Sequence, residues 1–395
     1  MRYRQLFLVT MAFTISFAVW GLISGLAPRF KDLYGLSDFQ TALAVALPIL
    51  LGSLFRIPMG IITDRFGGRL IFTVLLAFAF IPAAAIALIH SYVALLIAGF
   101  FLGVAGSSFA VGVSFTNKWF PPEKQGLALG LFGIGTGGQS IAVFVAPRLA
   151  KAISWEAVFW IFGLCSLIWA VVFWSLSRNA TLARPASLKH IAQVFVHQRL
   201  SWVLAFFYFI TFGGFVALGV YLPTLLKGHF HLNLEDAGLR AAGFVILATA
   251  MRPVGGWISD RVGGARVLAL VFALVALLAL LLTSSDFVIF SIGALGVAAL
   301  LGLGNGAVFT LVPKHFPGEI GAVTGLVGAI GGLGGFFPPI VLGVLKQSTG
   351  SYTVGFLLLA VFALIALFLN ISIFLRGPLH GVPQAPTTSA QLFSS

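Results

Sequence analysis

The chain has 395 residues, of which 59% are hydrophobic and 8% charged, with a formal net charge of +13. So much apolar surface at so low a charge cannot be buried in one soluble core, which excludes a soluble globular domain and places the chain in a bilayer. The positive balance is not the mark of a nucleic-acid binder, because no basic domain stands outside the apolar stretches.

Apolar runs of about 20 residues, long enough to cross the hydrocarbon layer as helices, recur from end to end. The first, over 6–26, follows Arg2 and Arg4. It reads as a helix and not as a cleaved signal, because the run is long and no clear small-residue cleavage site leads into a soluble domain. Spans at 41–63, 70–89, 93–116, 126–149 and 157–176 follow, the last holding the single cysteine, Cys165, which packs as a small hydrophobe. A polar linker occupies 177–200. Spans at 202–226, 237–259, 267–283, 287–312, 320–345 and 354–375 bring the total to twelve. The expected fold is an all-α polytopic membrane protein of two pseudo-symmetric six-helix halves, 1–176 and 201–376. Residues 377–395 are expected to form a disordered tail, their composition rich in Pro, Thr, Ser and Gln. Fourteen Lys and Arg fall on the side of the termini and seven on the other. The positive-inside rule therefore places both termini in the cytoplasm of a multi-pass protein of the cell's inner membrane.

The two halves share a pattern. RIPMGIITDRFGG begins at Arg56 and RPVGGWISDRVGG at Arg252, so that Gly60/Gly256, Asp64/Asp260, Arg65/Arg261, Gly67/Gly263 and Gly68/Gly264 are all 196 positions apart. A doubled plan of this kind is expected of a transporter with a midplane site between repeats. The loop residues Gly60, Asp64, Arg65, Gly67 and Arg69, echoed by Gly256, Asp260, Arg261, Gly263 and Arg266, resemble the motif between helices two and three of the major facilitator superfamily. The resemblance implies that Asp64, Arg65, Arg69, Asp260, Arg261 and Arg266 lock and release a cytoplasmic gate.

Arg56 precedes Asp64 by eight residues, about 12 Å of helix at 1.5 Å per residue. A hydrocarbon half-thickness is roughly 15 Å, so Arg56 and its counterpart Arg252 sit near the midplane, beyond easy snorkelling. All ten acids and all seven histidines fall in loops or at helix ends. Two buried cations without a protein anion imply a water-filled cavity whose counterion comes from solution, and hence an anionic substrate. A guanidinium offers a planar fork of donors, which suits a small flat oxyanion better than lysine could.

Two glycine-rich helices flank these arginines. GLALGLFGIGTGGQS from Gly126 carries Gly130, Gly133, Gly135 and Gly137; GAVTGLVGAIGGLGGFF from Gly321 carries Gly325, Gly328, Gly331, Gly332 and Gly334. Small residues let helices approach closely and leave peptide groups open to a polar substrate.

Together with the two arginines, these helices resemble the nitrate/nitrite porter family of that superfamily. The resemblance implies that Tyr208 and Phe212 of YFITFGGF, and Phe109 of GSSF, face the substrate, sandwiching a flat anion while the tyrosine hydroxyl donates a hydrogen bond. Asn305 of GLGNGAVF is retained. Thr136 stands where the family's first glycine-rich helix carries an asparagine, which leaves one hydroxyl in place of an amide. The expected partners are nitrate or nitrite, protons and the lipid bilayer, with no nucleic acid, metal or cofactor, and the expected unit is a monomer.

Moving an anion inward against 100 mV costs about 2.3 kcal/mol, so uptake requires exchange for an internal anion or accompanying protons. Both couplings are open at this level: no titratable residue besides the always-charged arginines and the tyrosines of high pKa lies at depth, which favours exchange, while the short compact chain resembles the family's proton symporters. Other classes are a porter of another small anion such as a carboxylate, and an anion sensor that does not transport. An enzyme is not expected, because no catalytic set, metal cluster or nucleotide loop can be assembled at one depth.

Overall fold

The computed structural model describes residues 1–180, 199–316 and 320–376, with only the helical backbone described at 122–127, 313 and 320–322. The expected tail at 377–395 and most of the expected linker, 181–198, lie outside the described residues. Every described element is helical. In chain order these are α1 (Arg2–Tyr34), α2 (Asp38–Leu54), α3 (Arg56–Phe66), α4 (Gly68–Leu88), α5 (Tyr92–Leu102), α6 (Ser108–Asn117), α7 (Pro122–Gly133), α8 (Gly138–Ala152) and α9 (Trp155–Leu176). After the linker come α10 (Arg199–Tyr208), α11 (Gly214–Phe230), α12 (Leu234–Val262), α13 (Gly264–Leu281), α14 (Phe287–His315), α15 (Ile320–Leu333), α16 (Phe337–Thr349) and α17 (Thr353–Asn370). Short 3-10 turns join α5 to α6 and α7 to α8, and a π turn, Phe209–Gly213, joins α10 to α11. Among the described residues eleven spans are long and apolar enough to cross a bilayer, and the bent pair α2–α3 makes a twelfth.

Local chemistry marks both ends of the bundle. Away from the termini, side chains of Ser37, Ser91, Ser154, Asn233 and Asp286 accept backbone N–H groups at the first turns of α2, α5, α9, α12 and α14. These caps satisfy donors that a helix start leaves free. At the terminal end the chain turns from α3 to α4 at Gly67 (φ 87°) and from α12 to α13 at Gly263 (φ 94°). That backbone region belongs almost solely to glycine, which accounts for this pair of the sequence repeat.

The expected second span, 41–63, is not one straight helix. It breaks at Phe55, with α2 and α3 bent by 41°. Pro58 has no N–H to donate to the Leu54 carbonyl, and its ring crowds that group. In the second half Pro253 lies next to Arg252 and α12 stays continuous. The two arginines therefore enter the seam on differently shaped backbones.

Burial is graded across the bundle. The first span and the seventh, α10–α11, are the most enclosed, whereas α9 and α17 turn much of their apolar surface outward. Residues such as Ile168, Val171 and Phe368 are exposed on the outside, an apolar surface that lipid covers. At the end away from the termini, the first six spans are tied to the last six. Lys227 pairs with Asp32, Lys151 with Glu235 at 2.5 Å, and Phe39 N donates to Gln347 Oε1 at 3.3 Å. Deeper, Ser24 Oγ donates to the Val220 carbonyl at 2.6 Å. Among the described residues no ion pair joins the two sets of spans at the terminal end.

Candidate functional site

Arg56 opens α3 and Arg252 lies within α12; the fold brings both to the seam between the two sets of spans, against the π turn of the seventh span. Arg56 is 6% exposed. Its Nη1 donates to the Gly328 carbonyl at 2.5 Å, and its Cζ lies 5.0 Å from the Phe212 ring centre and 5.5 Å from that of Phe109. Arg252 is half-buried, donates from Nη2 to Tyr208 Oη at 3.3 Å, and holds its Cζ 5.6 Å from the same Phe212 ring. One aromatic ring thus lies beside both cations, where its negative π faces partly offset their mutual repulsion.

Tyr208 stacks on Phe212, with ring centres 4.9 Å apart and planes 7° from parallel. The π turn explains this alignment, because its wider turn brings residues four apart closer to eclipsed than an α-helix does. Arg56, Arg252, Tyr208, Phe212 and Phe109 accordingly form one connected group.

The surroundings are tighter than the water-filled cavity expected from sequence. Beside Arg56 lies a cavity of about 10 Å³, lined in part by Phe17, Trp20, Ser53, Phe212 and Gly332. Such a volume holds about one water. The carbonyl of Gly328 and the two flanking rings close over the guanidinium, so admitting an anion requires the helices to part.

The glycines divide by role. A Cβ on Gly331 would lie 2.1 Å from Tyr208 Cδ1, one on Gly332 2.3 Å from Ser53 Oγ, and one on Gly334 2.3 Å from the Phe209 carbonyl oxygen. These three let α15 and the turn that follows it press against the seventh span and α2. In the first glycine-rich stretch Gly135 packs on Phe13, while Gly130, Gly133 and Gly137 have open space where a Cβ would stand, as does Gly325; a Cβ on Gly328 would touch only Phe109, at 3.9 Å. Gly138, beside them in the sequence, is the tightest of the described glycines, its Cβ position 1.9 Å from the Thr14 carbonyl oxygen.

Thr136 and Asn305 do not line the Arg56 cavity. The Thr136 hydroxyl donates to the Gly133 carbonyl at 2.8 Å and lies 3.3 Å from Thr249 Oγ1, one helical turn before Arg252. Asn305 is buried, and neither of its amide atoms has a hydrogen-bond partner among the described residues.

The loop charges form contacts mainly within each set of spans. Asp64 takes an ion pair from Lys118 at 2.8 Å and a hydrogen bond from Ser114 Oγ at 2.5 Å, both on the fourth span. Arg69 Nε donates to the Trp174 carbonyl, and Arg65 lies over Phe66. In the second half Arg261 stacks on Trp257 at 3.7 Å, Arg266 reaches the Val262 carbonyl at 3.4 Å, and Asp260 has no ion pair among the described residues. Asp260 instead lines a cavity of about 480 Å³ with Thr310 and Lys314, the residues 196 positions after Ser114 and Lys118. The carboxylate–lysine contact is made in the first repeat and, among the described residues, not in the second. Gly60 and Gly256 have open space where a Cβ would stand.

Known proteins resemble this chain in sequence and in architecture. The family described as Major Facilitator Superfamily matches residues 8–337 and 204–393. The chain is 39% identical to the "Nitrite extrusion protein" of Bacillus subtilis (strain 168) over 93% of each. It is 37% identical to the "Probable nitrate transporter NarT" of Staphylococcus epidermidis, over 92% of this chain and 94% of that protein. Among solved structures, a bacterial homolog of the human lysosomal transporter Spinster superposes with a TM-score of 0.74 at 16% identity, covering 94% of this chain and 97% of that one. The human organic anion transporter MFSD10 (TETRAN) superposes with a TM-score of 0.71 at 16% identity, covering 93% and 99%.

Proposed function

Because the chain belongs to the major facilitator superfamily and, within it, to the nitrate/nitrite porters, we propose that Arg56 and Arg252 together bind one nitrate or nitrite ion and carry it across the inner membrane by alternating access. The observation that carries the reading is the arginine pair beside the Phe212 ring, two guanidinium groups at the seam with no carboxylate paired to them among the described residues. An oxyanion between them receives charge-assisted hydrogen bonds from both forks. Phe109, Phe212 and Tyr208 wall the site and keep its polarity low, which strengthens those bonds. Thr136 acts at one remove, through Thr249. Seen this way, the ties at the rim away from the termini close the outer mouth, with both termini in the cytoplasm and a monomer as the transporting unit.

Exchange of nitrate for internal nitrite is the proposed coupling. Among the described residues every acid and histidine lies in a loop or near a helix end, so no side chain at the depth of the arginines relays protons in the physiological range. Counterflow tests the function directly. Proteoliposomes preloaded with unlabelled nitrate should transiently accumulate labelled nitrate above its outside concentration. A sensor gives no overshoot, and a carboxylate porter gives one with formate or acetate but not with nitrate.

A further inference from the structure

The cavity beside Arg56 is lined by three side chains whose donors have no partner among the described residues: Trp20 Nε1, Ser53 Oγ and Arg56 Nε. All three residues are more than nine-tenths buried, with exposures of 5%, 1% and 6%. A buried donor left unpaired costs stability, so several at one cavity need an explanation. They come from two elements, α1 and the α2–α3 break, and they meet where glycines replace side chains. A Cβ on Gly106 would stand 3.3 Å from Trp20 Nε1; one on Gly332 would stand 2.3 Å from Ser53 Oγ and 3.0 Å from Arg56 Nη1.

The second repeat provides an internal control. Thr249 occupies the position equivalent to Ser53, three residues before its arginine. Its hydroxyl has the Thr136 hydroxyl at 3.3 Å. Ser53 faces Gly332, which has no side chain to offer. A hydroxyl precedes each arginine by the same step, yet only the first is left with its hydrogen-bonding capacity unused.

We propose that Trp20 and Ser53 are substrate-binding residues, their indole N–H and hydroxyl donating to nitrate lone pairs that the arginine forks leave unfilled. The proposal rests on the arginine pair being the anion site. Two bidentate forks supply four N–H donors, whereas the three oxygens of a trigonal nitrate present about six in-plane lone-pair sites; the sites the forks leave unfilled need other donors in a low-dielectric setting. Nitrite has only two oxygens and no such demand. Trp20 and Ser53 thereby favour nitrate over nitrite.

The test is the KM for nitrate and for nitrite in exchange assays with purified, reconstituted Trp20→Phe and Ser53→Ala, beside wild type and Arg56→Lys at matched protein amounts. Each of the first two should raise the nitrate KM about tenfold or more, the equivalent of one hydrogen bond to a charged group. The nitrite KM should move much less, so the nitrate-to-nitrite ratio shifts, with kcat near wild type. General loosening of the fold would raise both KM values together and leave the ratio unchanged, which overturns the proposal. Wild-type constants in both variants, with exchange lost in Arg56→Lys, overturn it while leaving the arginine site intact. Unimpaired exchange in Arg56→Lys removes the site itself and the proposal with it.

Discussion

Replacing Arg56 or Arg252 with lysine should lower nitrate exchange about a hundredfold or more in proteoliposomes, at unchanged amounts of inserted carrier. Lysine keeps the charge but presents one compact ammonium in place of a planar fork. Two charge-assisted hydrogen bonds lost from one fork, at roughly 1.5 kcal/mol each, already amount to about a hundredfold. The two substitutions should not be equal. Arg56 is enclosed by Phe109, Phe212 and the Gly328 carbonyl, whereas Arg252 is half-buried and reaches Tyr208 at a long 3.3 Å. An ammonium at position 56 loses more of its surroundings, so Arg56→Lys should be the more severe. Full exchange by either variant, measured as initial rates of labelled nitrate uptake, would eliminate the two-arginine site.

Nitrate entry should be at least about tenfold faster into vesicles loaded with nitrite or nitrate than into vesicles without a permeant anion, with voltage held fixed. Reorienting without cargo requires two like charges to be enclosed together, and their desolvation opposes closure. An oxyanion between them removes that barrier; a difference of about 1.4 kcal/mol is enough for tenfold. Phe212 softens the barrier, because its ring lies within 5.6 Å of both guanidinium carbons. Phe212→Leu should therefore slow net flux more than exchange. Fast entry into vesicles lacking permeant anion, driven by an inward proton gradient, would reject the closure argument and establish proton symport.

Much of this site is legible in the sequence for one physical reason: a charge at mid-membrane depth is expensive, so Arg56 and Arg252 stand out against an apolar background. The aromatic partners are legible only through resemblance, since Phe109 and Phe212 are two of 40 phenylalanines. The break at Phe55 has a local cause, Pro58, but hydropathy alone runs the span straight through it. Trp20 gives no signal along the chain, and the match of Ser53 with Thr249 across the repeat does not by itself mark a binding group. What singles them out is burial without a partner, which appears only when α1, α2 and α15 are packed together. The Asp64–Lys118 pair lies between these cases: both residues belong to the repeat, but the link between loops 54 positions apart is spatial.

The clasp at the rim away from the termini has a consequence for the medium in which the carrier works. Its ion pairs, Lys227 with Asp32 and Lys151 with Glu235, are partly open to water, unlike Arg56 at the seam. Dissolved ions screen exposed pairs over about 10 Å at 0.1 M and about 3 Å at 1 M, but barely reach enclosed ones. With the termini in the cytoplasm, as proposed above, that rim faces outward, and external ionic strength weakens the clasp without touching the binding groups. Raising a salt that is not transported, on the outer side only, should shift the protein towards its outward-open form and increase labelling of a cysteine placed behind the clasp. The balance between the carrier's two faces is then set partly by the salinity of its surroundings, independently of how tightly it holds its cargo.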